Sequence, residues 1–166
     1  MKNRNQIHLL LKEKNCKIGI ELGVAKGSFS KYLTDNHTFE EFFCIDKWND
    51  HHDEREKNYV LDLFKEKKNI KIYQMDFEKA IDLFPDEFFD FIYIDGYAHT
   101  GQNEGSTLKQ WYPKLKSGGI FSGHDYCIQR WPKTFHQVNK FLNEELNYEI
   151  NFTQEKIDPS WYIFKR

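Results

Sequence analysis

No stretch of this chain approaches the length of apolar sequence needed to span a membrane. Its opening MKNRNQIHLLLKEK has too short an apolar run for a secretory signal. Cysteine is scarce and odd in number, and Cys16, Cys44 and Cys127 match no zinc spacing, which points to a reduced, cytoplasmic protein. An excess of charge of one sign is also missing. The 24 Lys and Arg residues stand against 26 Asp and Glu, for a net charge of −2, so the strongly basic face expected of a nucleic-acid binder is not indicated. Internal repeats and a linker between domains are absent from the pattern, so a single domain is expected over residues 1–166.

Aromatic residues are what the chain does have. They make up 17% of it, although the mean hydropathy is only −0.78. The core should therefore rest on Phe and Tyr more than on Leu and Val. A chain of this length buries about 70% of its unfolded surface, enough for a substantial core.

Short apolar runs alternate with longer helical ones. Strands are expected at 17–22, 41–46, 70–75, 89–95 and 119–125, with helices at 5–13, 27–36, 53–67, 77–84, 103–115 and 132–146. Lys-Ser-Gly-Gly at 116–119 reads as the stop of the fifth helix. The final runs, 148–153 and 160–165, lie too close for a crossover helix and should pair as a hairpin. Alternation of this kind implies an α/β fold with three αβα layers. Its seven-stranded sheet should be mostly parallel and end in an antiparallel hairpin.

The first strand runs into ELGVAKGSFS, a glycine turn spaced G-x-x-x-G rather than the dinucleotide G-x-G-x-x-G. Glu21 stands just before the turn, where a carboxylate would repel a pyrophosphate but suits a ligand with cationic groups. S-adenosylmethionine has a sulfonium, an ammonium and no phosphate. Asp46 ends the second strand, placed to accept ribose hydroxyls. Asp76 follows the third, placed for the adenine amino group, with Met75 or Phe77 against the ring. The competing reading is that Glu21 and Asp76 cap the turns or helices that follow them.

ELGVAKGSFS, CIDKW, DFIYIDGYAH and LKSGGIFSGHDY together resemble the ordered motifs of class I S-adenosylmethionine-dependent methyltransferases. The likeness is greatest to small members related to the macrolide-sugar and catechol O-methyltransferases, and it covers residues 17–125. It implies a Rossmann-like methyltransferase fold. It also implies cofactor contacts from Glu21, Gly23, Gly27, Ser28, Asp46, Lys47, Asp76, Phe77 and Asp95.

In open parallel sheets ligands sit beyond the carboxyl ends of the strands. The fourth and fifth strands should therefore bring Asp95, His99, His124 and Asp125 to one rim, to handle a substrate proton, a metal ion or both. The resemblance implies a divalent cation, Mg or Mn, on Asp95, His124 and Asp125, with Asp95, His99 and His124 as catalytic groups. His124 departs from the family's usual Asp-Asp or Asp-Asn pair. Imidazole binds Mn, Fe, Zn or Ni well and Mg poorly. Three readings stay open: a softer metal, an acid–base His124 beside carboxylate ligands, or no metal with His99 or His124 as base.

WNDHHDE (48–54) reads as a solvated loop with Asp50 or Asp53 capping a helix, or as a lid. Tyr126, Arg130 and Trp131 are candidate substrate-pocket residues or packing against a second subunit. The expected activity is methyl transfer to a small molecule, with a hydroxyl of a sugar or similar metabolite as acceptor. Since the chain lacks the N-terminal cap of larger relatives, a homo-oligomer is expected to complete the pocket. The rival readings are another transferase or a hydrolase on the same scaffold, and a non-catalytic cofactor-binding module.

Overall fold

The computed structural model describes residues 1–49, 51–95 and 103–166. Helix α1 (Ile7–Glu13) leads into β1 (Ile18–Leu22), α2 (Ser28–Asn36), β2 (Glu41–Asp46), α3 (Glu54–Phe64), β3 (Ile70–Gln74), α4 (Phe77–Ala80) and β4 (Phe89–Ile94). Then come α5 (Ser106–Trp111), β5 (Leu115–Gly123), α6 (Pro132–Val138) continued by a π-helical stretch (Asn139–Glu145), β6 (Asn151–Phe152) and β7 (Trp161–Phe164). The strands form one sheet in the order β3-β2-β1-β4-β5-β7-β6. Strands β1 to β5 run parallel, while β7 is antiparallel to both β5 and β6. The expected architecture is thus borne out.

The central strands β1, β2 and β4 are buried on both faces. Successive side chains of β2, from Phe42 to Ile45, enter two different cores in turn, as the period of two requires. One core joins the sheet to α1, α2 and α3 through Ile7, Leu11, Phe29, Leu33, Val60 and Phe64. The other joins it to α4, α5 and α6 through Phe77, Ala80, Leu108, Trp111 and Val138. The aromatic content does the packing. The Phe43 ring meets Phe84 at 5.0 Å and Phe89 at 5.7 Å, both edge-on. Such pairs contribute about 0.5–1.5 kcal/mol each beyond the area they bury.

Element boundaries depart from expectation in three places. Strand β5 starts at Leu115 and stops at Gly123, so Lys-Ser-Gly-Gly lies inside it rather than ending a helix. The register jumps from Phe89↔Leu115 to Phe91↔Ile120, and the extra residues stay tied in: Gly118 N–H donates to Lys165 O at 2.7 Å and Lys116 Nζ reaches Asp90 at 2.7 Å. The helix expected at 103–115 is cut to Ser106–Trp111, because Glu104 and Gly105 take positive φ at its start and Pro113 sits in a 3-10 turn at its end. Strand β6 keeps two residues of the six expected. Tyr148 turns into the core instead, its hydroxyl 2.7 Å from that of Tyr112 and its carbonyl accepting from Asn143 Nδ2.

Candidate active site

The carboxyl ends of β1, β2, β4 and β5 are locked together by glycine and by backbone hydrogen bonds. Gly23 has φ +93° and donates to Ile45 O at 2.9 Å, while Asp95 N–H donates to Leu22 O at 2.8 Å. A Cβ on Gly23 would stand 2.0 Å from the carbonyl oxygen of Asp95, closer than any real contact. The turn after β1 and the end of β4 thus touch only because position 23 has no side chain. At Gly27, φ is +73°, and the glycine turns the chain into α2 against Val60.

Asp46 fastens this turn from the next strand. Its Oδ2 accepts the Val24 and Ala25 N–H groups, each at 2.8 Å, and its Oδ1 accepts Trp48 N–H at 3.1 Å. Trp48 Nε1 returns a bond to Ala25 O at 2.9 Å. The acid read as a ribose acceptor therefore also scaffolds the glycine turn. Loss of its carboxylate would strand three N–H groups.

Glu21 is 1% exposed. It accepts a hydrogen bond from Ser30 Oγ, and Ser30 in turn accepts from Cys44 Sγ at 3.3 Å. Burial, reinforced by the negative charge of Asp95, pushes its carboxyl up to about 8. Around neutral pH it is mostly a neutral acid, ready to ionise when a cation comes near.

Lys47 Nζ is 3.3 Å from Asp76, and both line a cleft of about 330 Å³ with Asn49, Gln74, Met75 and Lys79. Asp76 makes no side-chain cap to α4. Met75 faces this cleft, while Phe77 is buried in the core beneath α4. Ser28 is exposed at the start of α2 and lines a separate cleft of about 550 Å³, with Lys26, His51, Asp53, Arg55, Glu56 and Tyr59.

The tightest constellation lies where β4 and β5 end. One candidate ligand atom from each of Asp95, His124 and Asp125 falls within 4.8 Å of the others. His124 Nδ1 is 3.1 Å from Asp125 Oδ1 and 3.3 Å from Asp95 Oδ1. Asp125 has φ +60°, a left-handed conformation that Asp tolerates better than most residues. Burial works against charge on His124, but its hydrogen bonding to the Asp125 and Asp95 carboxylates, which accept, outweighs it and raises its pKa to about 9. Burial alone would raise the Asp95 carboxyl, yet His124 and Arg4 hold it below the ordinary value. Arg4 Nη1 donates to Asp95 Oδ2 at 2.9 Å. His99 and Asp50 lie outside the described residues.

The remaining candidates are engaged elsewhere. Asp53 caps α3, accepting from Arg55 and Glu56 N–H groups, and His52 pairs with Glu56 at 2.6 Å. Arg130 and Trp131 both bond Asp158, at 2.6 and 2.9 Å, and Tyr126 donates to Asn139 at 3.1 Å. That loop is pinned to the turn before β7. Two residues of the site were not foreseen, Trp48 and Arg4.

A family model described as a methyltransferase domain matches residues 16–126, two thirds of the chain. This chain belongs to the methyltransferase-domain family. It is a class I S-adenosylmethionine-dependent methyltransferase. Solved structures repeat the whole fold at low identity. The O-methyltransferase from Bacillus cereus, in complex with SAH, superposes with a TM-score of 0.70 at 10% identity, over 97% of this chain and 80% of that one. A protein provisionally designated a caffeoyl-CoA O-methyltransferase, from Staphylococcus aureus, gives 0.71 at 18%, over 96% and 81%. N-methyltransferase NodS from Bradyrhizobium japonicum gives 0.67 at 15%, over 98% and 94%. No curated protein sequence matches the chain. Proteins named as oxygen and as nitrogen methyltransferases match this fold at similar TM-scores, 0.70–0.71 and 0.67, so the fold leaves the acceptor atom to be argued from the site. No helix among the described residues is long and apolar enough to cross a membrane.

Proposed function

We propose that this methyltransferase methylates a hydroxyl group of a small molecule, a sugar or similar metabolite, with help from a divalent cation held by Asp95, His124 and Asp125. The observation that carries the reading is the convergence of those three ligand atoms within 4.8 Å at the rim beside the glycine turn. Two carboxylate oxygens and one imidazole nitrogen suit Mn better than Mg.

When bound, S-adenosylmethionine supplies a methyl group on a sulfonium that is already activated, and the cation would supply positive charge next to the acceptor oxygen. The protein's task is alignment and proton handling. Glu21, Gly23 and Gly27 shape the turn for the methionine end, while Asp46, Lys47, Asp76 and Met75 border the nucleoside end. Asp95 stands between the two sites, its backbone against Gly23 and its carboxylate in the cluster. His124 is flanked by two carboxylates and protonated at neutral pH. It must release that proton before it can act as a ligand or a base. Cation binding therefore strengthens with rising pH.

The reading also includes a reduced cytoplasmic setting, in line with three free thiols, and a homo-oligomer completing the acceptor pocket. A strict monomer in size-exclusion chromatography removes the latter. The main test is incubation with labelled S-adenosylmethionine and a panel of hydroxyl-bearing and amine-bearing acceptors, with Mn, with Mg and with chelator. S-adenosylhomocysteine should accumulate with Mn and stop with chelator. Full turnover in chelator rules out the cation, and turnover confined to amine acceptors rules out the hydroxyl.

A further inference from the structure

Asp95 already has a cation. Arg4 lies in a 3-10 turn (Arg4–Gln6) just ahead of α1, 91 residues away in sequence, and its guanidinium reaches Asp95 Oδ2 at 2.9 Å. The contact is braced from several sides. Ile7 and Leu11 of α1 are fully buried, which fixes the turn on the core. Arg4 N–H donates to Glu155 Oε2 at 3.1 Å, and Gln154 N–H donates to Met1 O at 2.9 Å, so the segment is stitched to the connection between β6 and β7. The guanidinium also lies 4.8 Å from the centroid of the Phe29 ring. A planar fork held in this way loses little freedom on pairing, unlike an exposed surface pair.

We propose that Arg4 is a positioning residue of this active site: a built-in cation that orients Asp95 and competes with a divalent metal for its carboxylate. The proposal rests on the metal reading given above. Arg4 takes Oδ2 of Asp95 while His124 sits against Oδ1, so the carboxylate is turned by two partners at once. The competition follows from charge. In the form that can hold a metal, with His124 deprotonated, the two carboxylates of Asp95 and Asp125 carry −2, and Arg4 reduces this to −1. An incoming dication meets half the opposing charge and must share Asp95 or displace the guanidinium from it. Arg4 thereby keeps the affinity of the cluster for any divalent metal modest.

The test is calorimetric titration of Mn2+ into the full chain for the wild type, Arg4→Gln, Arg4→Met and Arg4→Lys, with Asp95→Asn as the control for location. Arg4→Met retains an unbranched stem over Phe29, should Arg4→Gln fold poorly. The Gln and Met variants should bind Mn2+ about tenfold more tightly than the wild type, a difference of about 1.4 kcal/mol. Arg4→Lys should stay near the wild type, and Asp95→Asn should abolish binding. If the wild type binds Mn2+ and the neutral variants bind no better, Arg4 does not compete and the proposal falls, while the metal reading stands. Tight binding by Arg4→Lys equal to that of Arg4→Gln overturns the charge argument. Binding only in the neutral variants upholds Arg4 and overturns the metal reading for the native chain. No binding by any variant overturns both.

Discussion

Replacing Glu21 by Gln should make the ligand-free protein more stable at alkaline pH, and the size of the gain can be worked from the site. Glu21 is 1% exposed, and its carboxyl is raised from 4.5 to about 8 by burial and by Asp95. The sign follows from proton binding. Between pH 4.5 and about 8 the native state keeps a proton that the unfolded chain gives up, so stability falls as pH rises through that window and levels off above it. At 1.36 kcal/mol per pH unit, the full window amounts to about 5 kcal/mol, an order-of-magnitude figure comparable with the whole stability of many domains. Glutamine imitates the neutral acid and can still accept from Ser30, so the variant should lack this decline. Urea unfolding of both proteins at pH 5, 7 and 9 provides the assay. The curves should nearly coincide at pH 5 and separate progressively, with the variant the more stable at pH 9. Parallel curves across the range would show that Glu21 is ionised in the empty site and would refute the reasoning. The same substitution should weaken S-adenosylmethionine binding, because a fixed neutral amide cannot answer the charge of the sulfonium. Wild-type binding near pH 7 should release a proton, seen by calorimetry in buffers of different ionisation enthalpy.

Other outcomes follow from the same geometry. Gly23→Ala places a methyl 2.0 Å from Asp95 O, and it should abolish cofactor binding while lowering the melting temperature by several degrees or more. Asp46→Ala strands the N–H groups of Val24, Ala25 and Trp48 and should cost about 3 kcal/mol or more in urea unfolding, at roughly 1–3 kcal/mol for each unpaired group. Unchanged stability would show that Asp46 does not hold the turn. Asp125→Asn should lower turnover with Mn by at least about tenfold and leave S-adenosylhomocysteine affinity within about twofold, since Asp125 touches the cluster and not the glycine turn. Equal losses of both would merge the two sites.

The layered fold was open to sequence reasoning because each strand is a short apolar run bounded by charge, and each helix carries one apolar face. Boundaries failed where tertiary contacts overrode local pattern. Lys-Ser-Gly-Gly has the composition of a helix stop, yet the pairing of Gly118 with Lys165 and of Lys116 with Asp90 holds it within β5. Tyr148 alternates like a strand residue but serves the core better beside Tyr112. The convergence of Asp95, His124 and Asp125 was legible because both strands that bear them end in polar residues at one rim. Arg4 was not, since nothing near it in sequence announces a partner 91 residues away. The scaffolding role of Asp46 was hidden for a related reason. Its position at the end of a strand is the same whether it bonds a ribose or the neighbouring turn.

The central claim is that an acid-lined rim, with Glu21 poised to ionise, recognises a positively charged sulfur cofactor. Titration calorimetry of the full chain with S-adenosylmethionine, run in parallel with a nicotinamide dinucleotide, tests it most directly. The account predicts saturable one-to-one binding of S-adenosylmethionine that is lost in Gly23→Ala, and no binding of the dinucleotide. Saturable binding of the dinucleotide with no heat from S-adenosylmethionine would contradict it.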